Sequence, residues 1–146
     1  MKEYFNSEEG LNKLLTDNND IFTLLDDISG QLLQGILSTG DDYVLILNQA
    51  TGAYGVLEPL YSLSIAHKEN AELLHYVEAK RALEAKAEKF TAASLDKEAS
   101  ESVASIRRVR NILEGYVSVA EKIIITAQTQ LKRLEQDRKF KPQEER

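Results

Sequence analysis

The chain has 146 residues, no cysteine, 18 Lys and Arg and 24 Asp and Glu, which gives a formal net charge of −6. The missing cysteines exclude disulfides, thiolate catalysis and thiolate metal sites, and they fit a cytosolic protein. The chain also lacks the roughly 20 apolar residues that a membrane helix needs and the apolar run of a signal peptide. We therefore expect one soluble, cytoplasmic domain without a membrane partner.

Acidic residues are concentrated in the N-terminal part of the chain. Residues 1–60 contain two basic and ten acidic side chains, whereas the remainder contains sixteen basic and fourteen acidic ones. One interpretation is that the two parts attract each other within the chain. The other is that the C-terminal part binds an anionic partner, which the N-terminal part repels.

Residues 1–57 are predicted to form an acidic, mainly helical packing region. A first short helix begins near Ser7, and apolar residues then recur at helical spacing from Ile21 to Leu37. Residues 43–57 leave two structures open. The apolar run that begins at Tyr43, followed by turn residues, favours a short β-hairpin, whereas a buried helix from Asp42 to about residue 50 is the alternative.

Two long helices are predicted in the rest of the chain. Pro59 suits the first position of a helix, which we expect to reach about Phe90 because residues 78–89 are strong helix formers. Ser94 is the predicted N-cap of a second helix over residues 95–139. Since the connection is short, the helices 59–90 and 95–139 should form an antiparallel hairpin.

The predicted fold class is therefore mainly all-α, with one domain overall. It combines the acidic region 1–57, a long helical hairpin within residues 58–139 and a flexible tail at 140–146. A short β-hairpin at 43–57 remains an option.

Apolar residues recur along the last predicted helix at alternating steps of three and four, the pattern of a helix that packs lengthwise on another. Arg110 is the single polar member of this series, either as a register-setting group or as an arginine that extends to solvent. A second apolar stripe is offset by one residue. Either the acidic N-terminal segment covers it or another copy of the protein does, and we favour a homo-oligomer interface. Its members are Val109, Ile112, Tyr116, Val119 and Ile123.

Residues for catalysis or metal binding are sparse. His67 and His75 are the only histidines, and Glu72 with His75 has the Glu-x-x-His spacing of a di-iron bundle. The second such motif is missing, because Ser64 stands three residues before His67. No nucleophile and base are suggested either. We expect a protein that is not an enzyme and that has no metal site and no cofactor.

Basic residues are clustered late in the first long helix and early in the second. Together with the aromatic residues Tyr76 and Phe90, they can bind single-stranded nucleic acid through phosphate contacts and base stacking. For any single cluster the favoured interpretation is instead that nearby glutamates such as Glu84 and Glu114 neutralise it in surface ion pairs. In a ring of subunits, weak patches add up by multivalency. The predicted nucleic-acid-binding residues are Lys80, Arg81, Lys86, Lys89, Arg107 and Arg108.

Three short stretches carry a resemblance to a family: Leu60-Tyr61-Ser62, residues 78–81 within a basic helix, and Asp137-Arg138 near the end of the last helix. Over residues 59–140 this layout resembles phage UvsY-like recombination mediators. The resemblance implies a ring-forming protein of the bacterial host cytoplasm that binds single-stranded DNA beside a recombinase. It also implies that Lys80, Arg81, Lys86 and Lys89 are DNA-binding residues.

The sequence thus predicts a non-enzymatic, self-assembling helical protein. Its most specific version is a single-stranded-DNA-binding recombination mediator. The alternative is a structural or adaptor protein, such as a virion component or a helical partner of a larger assembly, without nucleic-acid binding.

Overall fold

A computed structural model describes residues 2–140, and the predicted all-α class is confirmed for this range. A 3₁₀ helix is followed by five α-helices, and these residues contain no strand. Residues 141–146, most of the predicted tail, lie outside the described residues. The elements are the 3₁₀ helix Lys2–Phe5, α1 Glu8–Asp17, α2 Asn19–Gln34, α3 Gly40–Ala85, α4 Ala92–Ser102 and α5 Ala104–Phe140.

Helix α3 corrects two expectations about its N-terminal half. Residues 43–57 are helical, so the β-hairpin does not form, and the helix is much longer than the helical alternative. The helix also continues through Pro59 instead of beginning there. An internal proline costs roughly 3 kcal/mol. Leu57 and Leu60 on either side of it are 0% and 4% exposed, and their burial offsets that cost.

The end of α3 lies at Ala85 rather than near Phe90. Ala87 adopts a left-handed conformation with φ of 54°. Its N–H donates to the carbonyl of Glu84, and the N–H of Glu88 donates to the carbonyl of Leu83. These two bonds form a Schellman motif, which normally has glycine at the left-handed position. Because alanine takes that position here, nothing in the sequence marks the end of the helix.

The predicted helix 95–139 is divided into α4 and α5 at Val103, which is buried. The N-cap of α4 is Thr91 rather than Ser94. The Thr91 hydroxyl accepts a hydrogen bond from the Ser94 N–H at 3.1 Å, and the Ser94 hydroxyl accepts one from the Thr91 N–H at 3.4 Å. Ser94 is therefore the third helical residue of a capping box, which satisfies two backbone donors at once.

The described residues form two compact units, the first made of residues 2–17 and 59–114. In this unit the ring of Phe5 stacks on His67 with ring centroids 4.7 Å apart. Gly10 allows the 3₁₀ helix to lie against α1, since a Cβ there would stand 2.6 Å from the carbonyl oxygen of Tyr4. Helix α1 thus groups with residues 59–114 and not with the rest of the predicted region 1–57.

The second unit consists of residues 18–58 and 115–140, which comprise α2, the first part of α3 and the last part of α5. A Schellman motif also ends α2, here with Gly35 at φ of 66° in the left-handed position. The core of this unit is built mainly from Leu25, Ile28, Ile46, Leu57 and Ile123, each 3% exposed or less.

Candidate association surface

Between residues 44 and 56 the outward face of α3 is uncharged. The helix buries one side through Ile46, Ala50, Ala53 and Leu57. Its exposed positions between residues 44 and 56 fall on the opposite side, within an arc of roughly 140° at 3.6 residues per turn. The members of this surface, which we call the α3 face, are Val44, Leu45, Asn48, Thr51, Gly52, Gly55 and Val56.

Three of these side chains are large and apolar, and much of their area lies open to solvent. Val44 is 44% exposed, Leu45 is 57% exposed and Val56 is 46% exposed. Single exposed apolar residues are ordinary on protein surfaces, whereas a contiguous group without charges marks an interaction surface. On the α3 face the exposed apolar side chains lie at its two ends, and uncharged polar residues and glycines connect them.

The two glycines of the α3 face are not required by the packing of the chain itself. A Cβ added at Gly52 or Gly55 would meet no described atom within 4 Å. Each interior helical glycine nevertheless destabilises the helix by about 1 kcal/mol relative to alanine. Glycine on a helix surface allows another backbone to approach closely, so both positions suit contact with a second molecule.

The α3 face is not evident from the sequence, because local patterns predict a hairpin or a short buried helix for residues 43–57. One signal for it was present. These fifteen positions contain no Lys, Arg, Asp or Glu, although such residues make up 29% of the chain. Had the stretch been recognised as helical, the absence of charge would have implied an uncharged outward side as well as a buried one.

The predicted interface stripe on α5 is largely covered within the chain. Val109 and Ile123 are 0% and 3% exposed, so they belong to the core and cannot contact a second copy. Ile112 and Val119 are half-buried. The physical reason is visible at Tyr116, whose ring stacks on Phe22 of α2 with centroids 4.4 Å apart. At Tyr116 the acidic N-terminal segment covers the stripe, as the alternative interpretation held.

Tyr116 is also fixed by its hydroxyl, which donates to a carboxylate oxygen of Asp26 at 3.0 Å. Burial raises the pKa of Tyr116 above its ordinary value of 10.0, and the hydrogen bond to Asp26 raises this pKa further. The ring stacking and the hydrogen bond together make Tyr116 a packing residue of the second unit.

The six predicted nucleic-acid-binding residues separate into two groups in the first unit. Lys80, Arg81, Lys86 and Lys89 are exposed, and only Lys80 has an ion pair among residues 2–140, with Glu84 at 4.0 Å. Such an exposed pair contributes little to stability. These four side chains remain accessible to a ligand.

Arg107 and Arg108 are instead engaged by the chain. A guanidinium N–H of Arg107 donates to the carbonyl of Ser100 at 2.8 Å and also to the hydroxyl of this serine. Arg108 donates to the side-chain carbonyl of Asn12 in α1 at 3.1 Å. Both arginines therefore join elements of the first unit, and phosphate binding would compete with those bonds.

Arg110, the polar member of the first apolar series, extends to neighbours on its own helix. Its side chain is 30% exposed, donates to Asn111 and lies 4.0 Å from the Glu114 carboxylate. The same Glu114 carboxylate also affects Tyr61. Burial raises the pKa of the Tyr61 hydroxyl above its ordinary value of 10.0, and Glu114 raises this pKa further. The geometry agrees with an arginine that reaches solvent along its apolar stem.

Within residues 2–140, neither histidine belongs to a cluster of three ligating side chains. His67 stacks on Phe5, and the Nε2 atom of His75 lies 3.4 Å from the Glu98 carboxylate. Among residues 2–140 no group of three His, Asp or Glu side chains is arranged to hold a metal ion. Over the same range, none of the helices combines the length and apolar character of a membrane span.

Comparison of the chain with protein-family models, with curated proteins and with solved structures found no match.

Proposed function

We propose that the protein is a non-enzymatic, self-associating structural protein whose copies bind each other through the α3 face. One observation carries this proposal. Seven exposed positions on one side of a helix contain three large apolar residues, two glycines and no charge. A surface of this kind loses little hydration energy when it is buried, and it gains from the removal of apolar area from water.

The absence of charge on the α3 face permits a second copy as the occupant. Two copies that each carry a net charge of −6 repel each other wherever acidic surfaces meet. The α3 face allows contact without placing like charges opposite each other.

The expected complex is weak. Full burial of a Val or Leu side chain contributes about 1.5–3 kcal/mol, so the exposed halves of three such residues on each of two copies contribute roughly 4.5–9 kcal/mol. The loss of translational and rotational freedom costs on the order of 4–15 kcal/mol. With this cost at the low end of its range and the gain from burial at the high end, the net gain is about 4–5 kcal/mol, so we expect a dissociation constant of roughly 0.2–1 mM, as for small transient interfaces.

Sedimentation measurements test the proposal over a protein concentration range from about 10 μM to 1 mM, where a complex of this strength forms. The wild type should increase in average mass with concentration. The double variant Leu45→Glu, Val56→Glu should stay monomeric and keep its helical circular dichroism, because both side chains already face solvent.

The matched control is Ile125→Glu. Ile125 is 62% exposed and lies on α5 in the same unit, so this variant introduces the same type of charge on another surface. It should associate like the wild type. A wild type that remains monomeric at 1 mM would contradict the proposal, as would equal association of the wild type and the double variant.

A second candidate function is binding of single-stranded DNA, and the accessibility of four basic residues supports it. Lys80, Arg81, Lys86 and Lys89 are exposed, and the last three side chains make no hydrogen bond or ion pair within residues 2–140. We infer that these residues contact phosphates if the protein acts as the recombination mediator that its resemblance to UvsY-like proteins implies. In that case the protein acts beside a recombinase.

Titration of labelled oligo-dT at several salt concentrations tests this second candidate. Binding by phosphate contacts weakens as salt rises because counterions are released. The variant Arg81→Ala, Lys86→Ala should bind more weakly and lower the salt slope by about one unit per lost contact. The control Lys132→Ala, Arg133→Ala removes two exposed charges from α5 and should bind nearly as the wild type does. Absence of binding at low salt, or equal losses in both variants, would exclude this function.

A further inference from the structure

We propose that two copies pair through the α3 face in antiparallel orientation, with the twofold axis near residue 50. This inference rests on the proposed self-association and specifies its geometry. In an antiparallel pair with that axis, each residue lies opposite the partner residue whose number, added to its own, gives about 100. The three pairs of face residues that result are Val44 with Val56, Leu45 with Gly55 and Asn48 with Gly52.

The shapes of these pairs are complementary. Leu45 is the largest exposed side chain of the α3 face, and it comes opposite Gly55, where a Cβ would have no neighbour within 4 Å. Asn48 likewise comes opposite Gly52. The valines at the two ends of the face meet each other. A large side chain is therefore placed over a glycine on the partner, which lets the two helices approach closely.

The same set of residues appears on both partners, as an isologous twofold contact requires. Each copy supplies Leu45 to the other's Gly55 and receives a leucine in return. The contact closes with two copies and leaves neither α3 face open, so we expect a dimer and not a chain of subunits.

Charge separates the antiparallel from the parallel orientation. Asp41 is exposed one turn before Leu45. A parallel pair in register would place the two Asp41 carboxylates against each other, and directly opposed like charges are destabilising. With the axis near residue 50, the antiparallel pair moves them to opposite ends of the contact, roughly 27 Å apart along the helix axis at 1.5 Å per residue. The antiparallel orientation avoids this repulsion.

Because the chain has no cysteine, single introduced cysteines give an unambiguous test. Val44→Cys and Val56→Cys are prepared with tags of different mass and oxidised alone or mixed at 1:1, at a concentration where the wild type associates. The antiparallel pair predicts a covalent heterodimer in the mixture and little homodimer of either variant alone. Two Val44 positions would be roughly 18 Å apart, and a disulfide needs Cα atoms within about 7 Å.

Leu45→Cys mixed with Gly55→Cys provides a second pair, in case the valine substitutions weaken association. Ile125→Cys alone measures disulfides formed by random collision. Each variant is also sedimented under reducing conditions, which reports whether the proposed self-association survives the substitution.

The outcomes separate the two levels of the proposal. Efficient homodimers of Val44→Cys alone would show a parallel pair and overturn the antiparallel geometry while leaving self-association intact. If the variants still associate but neither mixture exceeds the Ile125→Cys yield, the contact lies elsewhere and the inference is wrong. A wild type that never associates removes the proposed function itself.

Discussion

Two exposed helix faces of the second unit differ sharply in chemistry. The α3 face has seven exposed positions and no charge, whereas the exposed positions of α5 between residues 121 and 139 are mostly ionisable. On α5 opposite charges also pair, since Lys139 lies 2.8 Å from Glu135 and lowers the pKa of that carboxyl. The charged exposed residues of α5 in this range are Glu121, Lys122, Lys132, Arg133, Glu135, Asp137, Arg138 and Lys139.

The difference indicates which surface is suited to contact. Charged side chains lose much hydration free energy when a partner covers them, so a face like that of α5 is stable in water. The α3 face has no charge to desolvate and retains exposed valine and leucine. Because both faces belong to the second unit, the contrast is a property of these faces and not of the general composition of the chain.

The largest expected effect is a difference in the free energy of unfolding between substitutions at two adjacent residues of α3, one on its buried side and one on the α3 face. Leu57 is 0% exposed and Val56 is 46% exposed. Leu57→Ala should lower the free energy of unfolding by about 2–5 kcal/mol, because it leaves a cavity in the core. Val56→Ala should change this free energy by less than about 0.5 kcal/mol in the monomer. Urea unfolding at low micromolar protein measures both.

Equal destabilisation by the two substitutions would show that Val56 is a core residue, and the contrast between the α3 face and α5 would then disappear. Association provides the complementary measurement. Val56→Ala should weaken it, since the substitution removes apolar area from the proposed contact.

A smaller effect on the free energy of unfolding, of opposite sign, is expected at the two glycines of the α3 face. Gly52→Ala and Gly55→Ala should each stabilise the monomer by about 1 kcal/mol, because alanine favours the helix and nothing within the described chain obstructs a Cβ. Both should weaken association, since the added methyl group fills space that the partner needs. Thermal unfolding at low concentration and sedimentation at high concentration measure the two effects.

Gly115→Ala is the matched control. Gly115 is exposed inside α5, and a Cβ there also meets nothing within 4 Å. This variant should gain similar stability and associate like the wild type. If Gly52→Ala and Gly55→Ala also associate like the wild type, the glycines of the α3 face have no role in contact.

The helices are predictable from local patterns, but several of their ends are not. Apolar spacing correctly indicates the all-α class, because a helix must bury one side. The ends depend on particular residues that occupy positions unusual for their residue type. Pro59 lies inside α3 because the burial of Leu57 and Leu60 outweighs its cost. Ala87 takes a position that usually requires glycine, and Val103 divides the last predicted helix while it remains in the core.

The sequence by itself determined the helical class, the scarcity of catalytic groups and the existence of more apolar area on α5 than one partner helix covers. Only the tertiary structure decided which apolar residues are already covered. Val109 and Ile123 are in the core and Tyr116 is held by Phe22 and Asp26 of α2, whereas Leu45 and Val56 remain open. Periodicity shows that residues share a side of a helix, but the presence of a partner there depends on residues about 90 positions away in the chain.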